Sequence, residues 1–480
     1  MNTWLEPRYT AWIWHGFAMT LALSACVIVG ATLLGFGLAL ARSAPYATVR
    51  RAAAAYVLIF RNSPLIVQLL FWYFGAAALM PESVMSWLNT PHALTLGPLT
   101  LGWPSFEFLA GWIGLTCYAT TFIGEEFRAG LRGVRDGQHQ AAAALGLTRF
   151  AAFRYVILPQ AVRIATPPLA GQYMNIVKNS SLTMAIGLAE LSYSSRQVET
   201  ETLKTFQSFG MATLLYIATI ATIEIALLLR QRNGAHGARS ARGAHATRRG
   251  PRMNAPDWLP ILRYLLLGTF PYGPLGGVAL TVVLTLASAS LSALLGLAGG
   301  VALAMTRGIA HIVLLTVVGL FRAIPVLMLI FWTFFLMPVL LHADVPGLAT
   351  VVCALALIGG AYLSHSVQAG IVAIGDGQWQ AALSLGMTRG QALRYVLLPQ
   401  AVRVMTPSFV NQWVSLIKDT SLAYIVGVPE FTFLANQVNN RLMVYPAQIF
   451  LFVGLVYLVL CCTFQWAVTR VLSARFETPR

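Results

Sequence analysis

Long apolar runs separated by short polar stretches set the pattern of this chain. Five lie near residues 12–41, 64–80, 106–124, 165–189 and 209–229, and five more near 277–305, 324–341, 346–363, 404–428 and 447–469. Each is close to the ~20 mostly apolar residues that a helix needs to cross a bilayer. The predicted fold class is all-α: a polytopic transmembrane helical protein of two tandem five-span repeats. Basic residues orient it. Arg42, Arg50 and Arg51 follow the first run, the Arg-rich stretch 128–163 follows the third, and 230–252 holds seven arginines and no acid. Cytosolic loops collect Lys and Arg, so each repeat starts outside and ends inside.

Those orientations conflict at the join. A first repeat that ends in the cytosol cannot lead directly into a second that starts outside. Residues 258–276 (WLPILRYLLLGTFPYGPLG) are the candidate for an extra span between the repeats. At about 1.5 Å per residue they barely reach across. An eleventh crossing here is the favoured reading, and an amphipathic segment on the outer face is the rival. The Arg-rich stretch before it cannot bury a core and reads as a solvated or headgroup-bound linker. The predicted division is a first domain over 1–232, a linker over 233–256 and a second domain over 257–480. Within that linker, Met253-Asn254-Ala255-Pro256 resembles the start of a once-separate protein, a hint of gene fusion. The N-terminus shows no basic region and no small-residue cleavage site, so the first helix is expected to act as its own insertion signal.

Composition supports the membrane reading. Charged residues make up 10% of the chain, against about 25% in soluble proteins, and the mean hydropathy is +0.69. The formal charge of +16 is explained by basic residues flanking apolar runs, so nucleic-acid binding is not expected. Cys26, Cys117, Cys353, Cys461 and Cys462 lie inside apolar runs without metal-pair spacing. His139 and His365 read as surface or packing residues. With no HExxH, no GxSxG and no usefully spaced carboxylate pair, no catalytic, metal or cofactor site is expected.

The chain repeats itself. Residues 137–167 (GQHQAAAALGLTRFAAFRYVILPQAVRIATP) match 377–407 (GQWQAALSLGMTRGQALRYVLLPQAVRVMTP) at 21 of 31 positions, with a constant offset of 240. The register continues through Lys178/Lys418, Ser181/Ser421, Leu182/Leu422, Glu190/Glu430 and Gln197/Gln437. Upstream, Phe60-Arg61-Asn62-Ser63-Pro64 matches Phe321-Arg322-Ala323-Ile324-Pro325 at an offset of 261, so the first copy carries 21 extra residues. They fall around 81–105, an extramembrane loop by composition. The repeated block lies between the third and fourth runs and is too polar to span. It reads as two short helices, with Gly146 or Gly386 supplying the turn between them. The second helix is expected to break at Leu158-Pro159 or Leu398-Pro399.

At these residues the sequence resembles the permeases of ABC-type importers. Their cytosolic loop carries Glu-Ala-Ala, three residues, Gly, nine residues, Ile, one residue, Leu-Pro. The first copy has Gln140, Ala141, Ala142, Gly146, Val156, Leu158 and Pro159 at that spacing. The second has Gln380, Ala381, Ala382, Gly386, Val396, Leu398 and Pro399. Gln replaces Glu, keeping size and hydrogen bonding without the charge. The runs at 60–68, 154–161 and 418–422 resemble the polar amino acid subfamily, and the two copies resemble the glutamate/aspartate transporter pair. The resemblance implies an alternating-access permease in the bacterial cytoplasmic (inner) membrane. It also implies a cytosolic ABC ATPase dimer docked on the two blocks, and an extracytoplasmic substrate-binding protein delivering a polar amino acid. The chain itself is not expected to be an enzyme. A Walker A lysine follows Gly, whereas Lys178, Lys204 and Lys418 follow Val177, Leu203 and Ile417.

Polar residues inside the apolar runs are functional candidates by default. Lys178, Asn179 and Ser180, with Lys418, Asp419 and Thr420, form the candidate substrate path; the alternative is a Lys418–Asp419 tie that merely holds helix ends. Glu190 and Glu430 read as solvated helix ends, with a binding-protein interface as the alternative. Arg61 and Arg322 read as headgroup anchors. Glu224, in the fifth run, has no counterpart in the second copy. The rival class is a secondary transporter with parallel repeats, which needs midplane carboxylates that the chain scarcely offers and leaves the duplicated block without a role.

Overall fold

The computed structural model describes residues 4–90, 93–96, 99–232, 259–442 and 445–476, and the predicted linker over 233–256 lies outside them. The chain divides into two compact units, Met1–Pro260 and Ile261–Arg480. In the first, α1 (Pro7–Ser43) is followed by α2 (Ala47–Asn62), α3 (Leu65–Leu70) and α4 (Glu82–Asn89). Strands β1 (Ala93–Leu96) and β2 (Leu99–Gly102) pair antiparallel, Ala93 opposite Gly102. Then come α5 (Phe106–Arg132), α6 (Asp136–Ala144), α7 (Arg149–Ala151), α8 (Leu158–Asn179), α9 (Leu191–Thr202) and α10 (Thr205–Arg232).

The second unit repeats this order without the insertion. It begins with the short α11 (Leu259–Leu267), then α12 (Gly277–Met305), α13 (Gly308–Ala323), α14 (Val326–Leu341) and α15 (Gly347–Val372). It ends with α16 (Asp376–Ser384), α17 (Arg389–Gln391), α18 (Leu398–Asp419), α19 (Phe431–Leu442) and α20 (Pro446–Phe476). The 21 extra residues of the first copy thus build α4 and the β1–β2 hairpin, with Trp87 on α4 5.3 Å from Trp103 after the hairpin.

Eight of the ten predicted spans are present as long apolar helices or bent pairs. Six are single: α1, α5, α10, α12, α15 and α20. Two are bent pairs, α2 with the helical stretch Leu65–Leu79 that begins at α3, and α13 with α14, bent by 104° and 103°. Each bend falls where Pro64 or Pro325 interrupts the helical hydrogen bonding. The fourth spans, α8 and α18, have the length but carry Gln172, Asn175 and Lys178 or Asn411, Gln412 and Lys418. They pack against α5 and α10, and against α15 and α20, which suits helices too polar to face lipid.

Among the described residues the predicted eleventh crossing is not found. Only Leu259–Leu267 is helical, and nine residues rise about 13 Å, well short of a bilayer core of about 30 Å. Gly268 then adopts a left-handed φ of +67°, bridging back to Leu275. Two prolines and three glycines in 268–276 supply turn geometry where a span needs helix formers.

Glycines set the tightest helix contacts. A Cβ on Gly35 of α1 would lie 2.6 Å from Ile123 Cγ2 of α5. At the matching place in the second unit, a Cβ on Gly296 of α12 would lie 2.4 Å from Leu363 Cβ of α15. Close backbone approach of this kind holds membrane helices together through dispersion contacts. Gly37, two residues along α1, has nothing within 4 Å. Gly35→Ala is therefore expected to lower the melting temperature in detergent, costing roughly 1–3 kcal/mol, while Gly37→Ala leaves it unchanged or slightly higher. Equal melting curves for the two variants would contradict this packing.

Candidate functional site

The duplicated block is one structure built twice. In the first unit α6 ends at Gly146, whose φ of +72° is left-handed. Gly146 N–H donates to Ala143 O at 3.0 Å and Leu147 N–H to Ala142 O at 3.1 Å, the paired bonds of a Schellman cap. In the second unit Gly386 has φ +81°, with Gly386 N–H to Leu383 O at 2.9 Å and Met387 N–H to Ala382 O at 3.2 Å. The predicted glycine turn is therefore found in both copies. The next helix starts at a threonine cap: Thr148 Oγ1 accepts from Ala151 N–H at 3.2 Å, and Thr388 forms a full capping box with Gln391. A side-chain bond ties each block to the following span, Gln160 Nε2 to Gln138 Oε1 at 3.1 Å and Gln400 Nε2 to Gln378 Oε1 at 3.5 Å.

Pro159 and Pro399 do not break the second helix as expected. A π-helical turn, Ala152–Ile157 or Ala392–Leu397, runs straight into α8 or α18, with the proline in the first turn. The widened turn removes the clash between the proline ring and the preceding carbonyls. One continuous rod of helix therefore joins the block to the membrane.

Burial divides the predicted residues into two faces. Ala142 and Ala382 are buried; Ala382 packs with Ile371, Ala392 and Leu397. Gln140, Ala141, Gly146 and Pro159 are exposed, as are Gln380, Ala381, Gly386 and Pro399, while Leu158 and Leu398 are half-buried. Sequence reasoning missed the apolar side chains on the outer face. Leu145 is 80% exposed and Leu385 79%, each beside its left-handed glycine. Phe150, Tyr155 and Tyr395 are exposed with them. The matching offset of 145 and 385 was a visible signal.

The candidate substrate-path residues lie at the other end of the same rod. Lys178 and Asn179 close α8, and Ser180 opens a 3-10 segment, Ser180–Ile186. Over 22 residues α8 rises about 33 Å, so the duplicated block and the candidate path residues are far apart. Ser180 Oγ donates to Val177 O at 2.8 Å and Ser181 Oγ to Lys178 O at 2.6 Å. In the second unit Lys418 and Asp419 close α18, Thr420 Oγ1 donates to Ile417 O at 2.7 Å, and Ser421 donates to Lys418 O. The 3-10 segments pack on α3 and α5, and on α14 and α15.

One expectation is corrected. Glu190 and Glu430 are not solvated: both have 0% exposure. Glu190 caps α9, accepting from Tyr193 N–H at 2.9 Å and from Tyr216 Oη at 2.9 Å, with Thr20 Oγ1 at 3.4 Å. Glu430 accepts from Phe433 N–H at 2.8 Å, Thr432 N–H at 2.9 Å and Tyr457 Oη at 3.0 Å, with Thr281 Oγ1 at 3.5 Å. A buried carboxyl must find its donors within the protein, and here the first and last spans supply them. The offset of 261 that joins Thr20 to Thr281 and Gly16 to Gly277 could have revealed this. The guanidinium carbons of Arg61 and Arg322 lie 5.2 Å from the ring centroids of Phe122 on α5 and Tyr362 on α15, cation–π contacts within the protein.

Known proteins share this chain's pattern. The sequence model of one family, described as "Binding-protein-dependent transport system inner membrane component", matches residues 11–233 and 294–477. The glutamate/aspartate import permease protein GltJ of Escherichia coli is 33% identical over 228 residues, which is 47% of this chain and 89% of that protein. The probable glutamine ABC transporter permease protein GlnM of Bacillus subtilis is 32% identical over 44% of this chain and 87% of its own length. A chain in a crystal structure of an amino acid ABC transporter is 27% identical, covering 47% of this chain and 95% of that one, with a TM-score of 0.39.

The left-handed turn gives a local test. Gly146→Ala is expected to cost about 1–2 kcal/mol at the turn and to speed amide exchange across 138–147 about tenfold. Gly137→Ala, where a Cβ meets nothing within 4 Å and the helix gains propensity, is expected to slow it. Unchanged exchange in Gly146→Ala would contradict the glycine's role.

Proposed function

Because the chain belongs to the family of binding-protein-dependent transport system inner membrane components, we propose that it is the permease of an ATP-driven importer of polar amino acids, both permease domains being carried on one polypeptide. The domains fall at 1–232 and 257–480, joined by the linker over 233–256. A separate cytosolic ATPase docks on each block through Gln140, Ala141, Gly146 and their counterparts Gln380, Ala381 and Gly386. An extracytoplasmic binding protein delivers the substrate, and the membrane is the bacterial inner membrane. Glutamate or aspartate is the narrower substrate reading, supported by the likeness to a glutamate/aspartate import permease.

One observation carries the docking reading. An apolar leucine stands fully out of each block, held on a rigid capped turn, at the same position in both copies. Exposed apolar side chains on a rigid base suit burial in a partner's groove. The block is continuous with α8 or α18, so motion of a docked ATPase reaches Lys178 or Lys418 along a single helix. Alternating access then amounts to a two-state equilibrium that nucleotide binding biases at the blocks.

The docking reading predicts a charge-sensitive surface. Leu145→Glu combined with Leu385→Glu is expected to lower co-purification of the ATPase at least about tenfold, the loss of one buried apolar anchor at each station. The melting temperature of the chain should hold, since both side chains face solvent. Undiminished co-purification would rule out these leucines as anchors.

A further inference from the structure

The two buried carboxyl nodes are not used by the docking reading, and their geometry points to a role in transport. Each joins three elements: α1, α9 and α10 around Glu190, and α12, α19 and α20 around Glu430. Thr20 Oγ1 also accepts from Leu191 N–H at 3.1 Å, and Thr281 Oγ1 from Phe431 N–H at 3.2 Å. A second hydroxyl stands beside each tyrosine: Ser192 Oγ 3.0 Å from Tyr216 Oη, and Thr432 Oγ1 3.3 Å from Tyr457 Oη. Backbones approach closely at the same place. A Cβ on Gly16 would lie 2.9 Å from Glu190 O, and Gly277 N–H donates to Pro429 O at 3.0 Å.

Stability alone is a poor reason for such a node. Buried charged networks are commonly matched or exceeded in stability by apolar side chains of similar size. What they supply is a fixed geometry, since hydrogen bonds are directional and apolar contacts are not. The geometry fixed here is that of the connector bearing the candidate path residues. From Lys178 the chain runs through the 3-10 segment to Gly187, with φ +84°, and reaches Glu190 three residues later. From Lys418 it runs through Thr420–Val426 to Gly427, with φ +78°, and on to Glu430. Each connector thus hangs between a long helix that begins at the docking block and an anchor made of the first and last spans.

We propose that Glu190 and Glu430 are positioning residues of the transport step, holding the far end of each connector still while α8 and α18 carry motion from the docking blocks. The inference rests on the importer reading. Without the anchor, movement of the long helix drags the whole connector and the path residues lose their alternation between states.

The test uses the full chain with its ATPase and binding protein in proteoliposomes, supplied with glutamate, and reads glutamate transported per ATP hydrolysed. Glu190→Ala with Glu430→Ala is expected to lower that ratio about tenfold, the scale on which misplacement of working groups costs rate. The Ala pair is expected to melt at a lower temperature than the parent chain, so the ratio is read well below that point, where ATPase co-purification should match the parent's, and the Gln pair should recover most of the ratio. If the Ala pair fails to fold, Tyr216→Phe with Tyr457→Phe removes one donor per node and should lower the ratio in the same direction. An unchanged ratio overturns the inference. So does a ratio that falls only in step with the melting temperature and is not recovered by Gln. Failure of the parent complex to bind the ATPase, or to move glutamate, aspartate or glutamine, would sink the importer reading, and this inference with it.

Discussion

A carboxyl group sealed from water has to be satisfied by the protein around it, and in each half of this chain one such group decides where three helices meet. Glu190 draws Thr20 of α1 and Tyr216 of α10 onto the start of α9; Glu430 does the same with Thr281 and Tyr457. The glycine contacts of Gly35 with Ile123 and Gly296 with Leu363 then fix the first span against the third. Helices α8 and α18 run from this body into the duplicated block without a break, through a π turn that lets Pro159 and Pro399 sit inside a helix. On the proposed reading, an anchor at one end and a docking face at the other would make each half a lever.

The halves share this frame but differ in charge. In the first, Glu125 on α5 pairs with Arg42 at 3.1 Å and Arg128 at 3.5 Å. Gln172 Nε2 donates to the neighbouring Glu126 at 3.3 Å. At the matching positions of the second half stand His365 and Ser366. Partly exposed pairs of this kind contribute little to stability, so the difference bears on polarity more than on the fold. The α4 helix and β1–β2 hairpin likewise belong to the first half alone. Two copies with one architecture and different polar linings are what a fused pair of once-separate subunits would leave.

Sequence patterns revealed features whose cause is local. The apolar spans follow from the absence of water, the turn at Gly146 and Gly386 from a backbone conformation that glycine favours, and the repeat from identity at fixed offsets. Features whose cause is tertiary stayed hidden. Nothing beside Glu190 in the chain announces that Thr20 and Tyr216 will enclose it, and nothing beside Arg61 announces Phe122. Leu145 was passed over, because nothing beside it in the chain announces that an apolar side chain will stand exposed next to the turn at Gly146. The bend at Pro64 and the continuity at Pro159 show why proline alone is a weak stop signal. One interrupts the helix, and the other is absorbed by a wider turn. Residues 259–276 had apolar composition but lacked the helix formers needed for a crossing.

The central claim is that this one polypeptide offers two equivalent docking stations for a nucleotide-hydrolysing partner. Native mass measurement of the complex purified in detergent tests it most directly. The account predicts one copy of the chain with two ATPase subunits. A complex holding one ATPase subunit per chain, or two chains sharing two ATPase subunits, would contradict it.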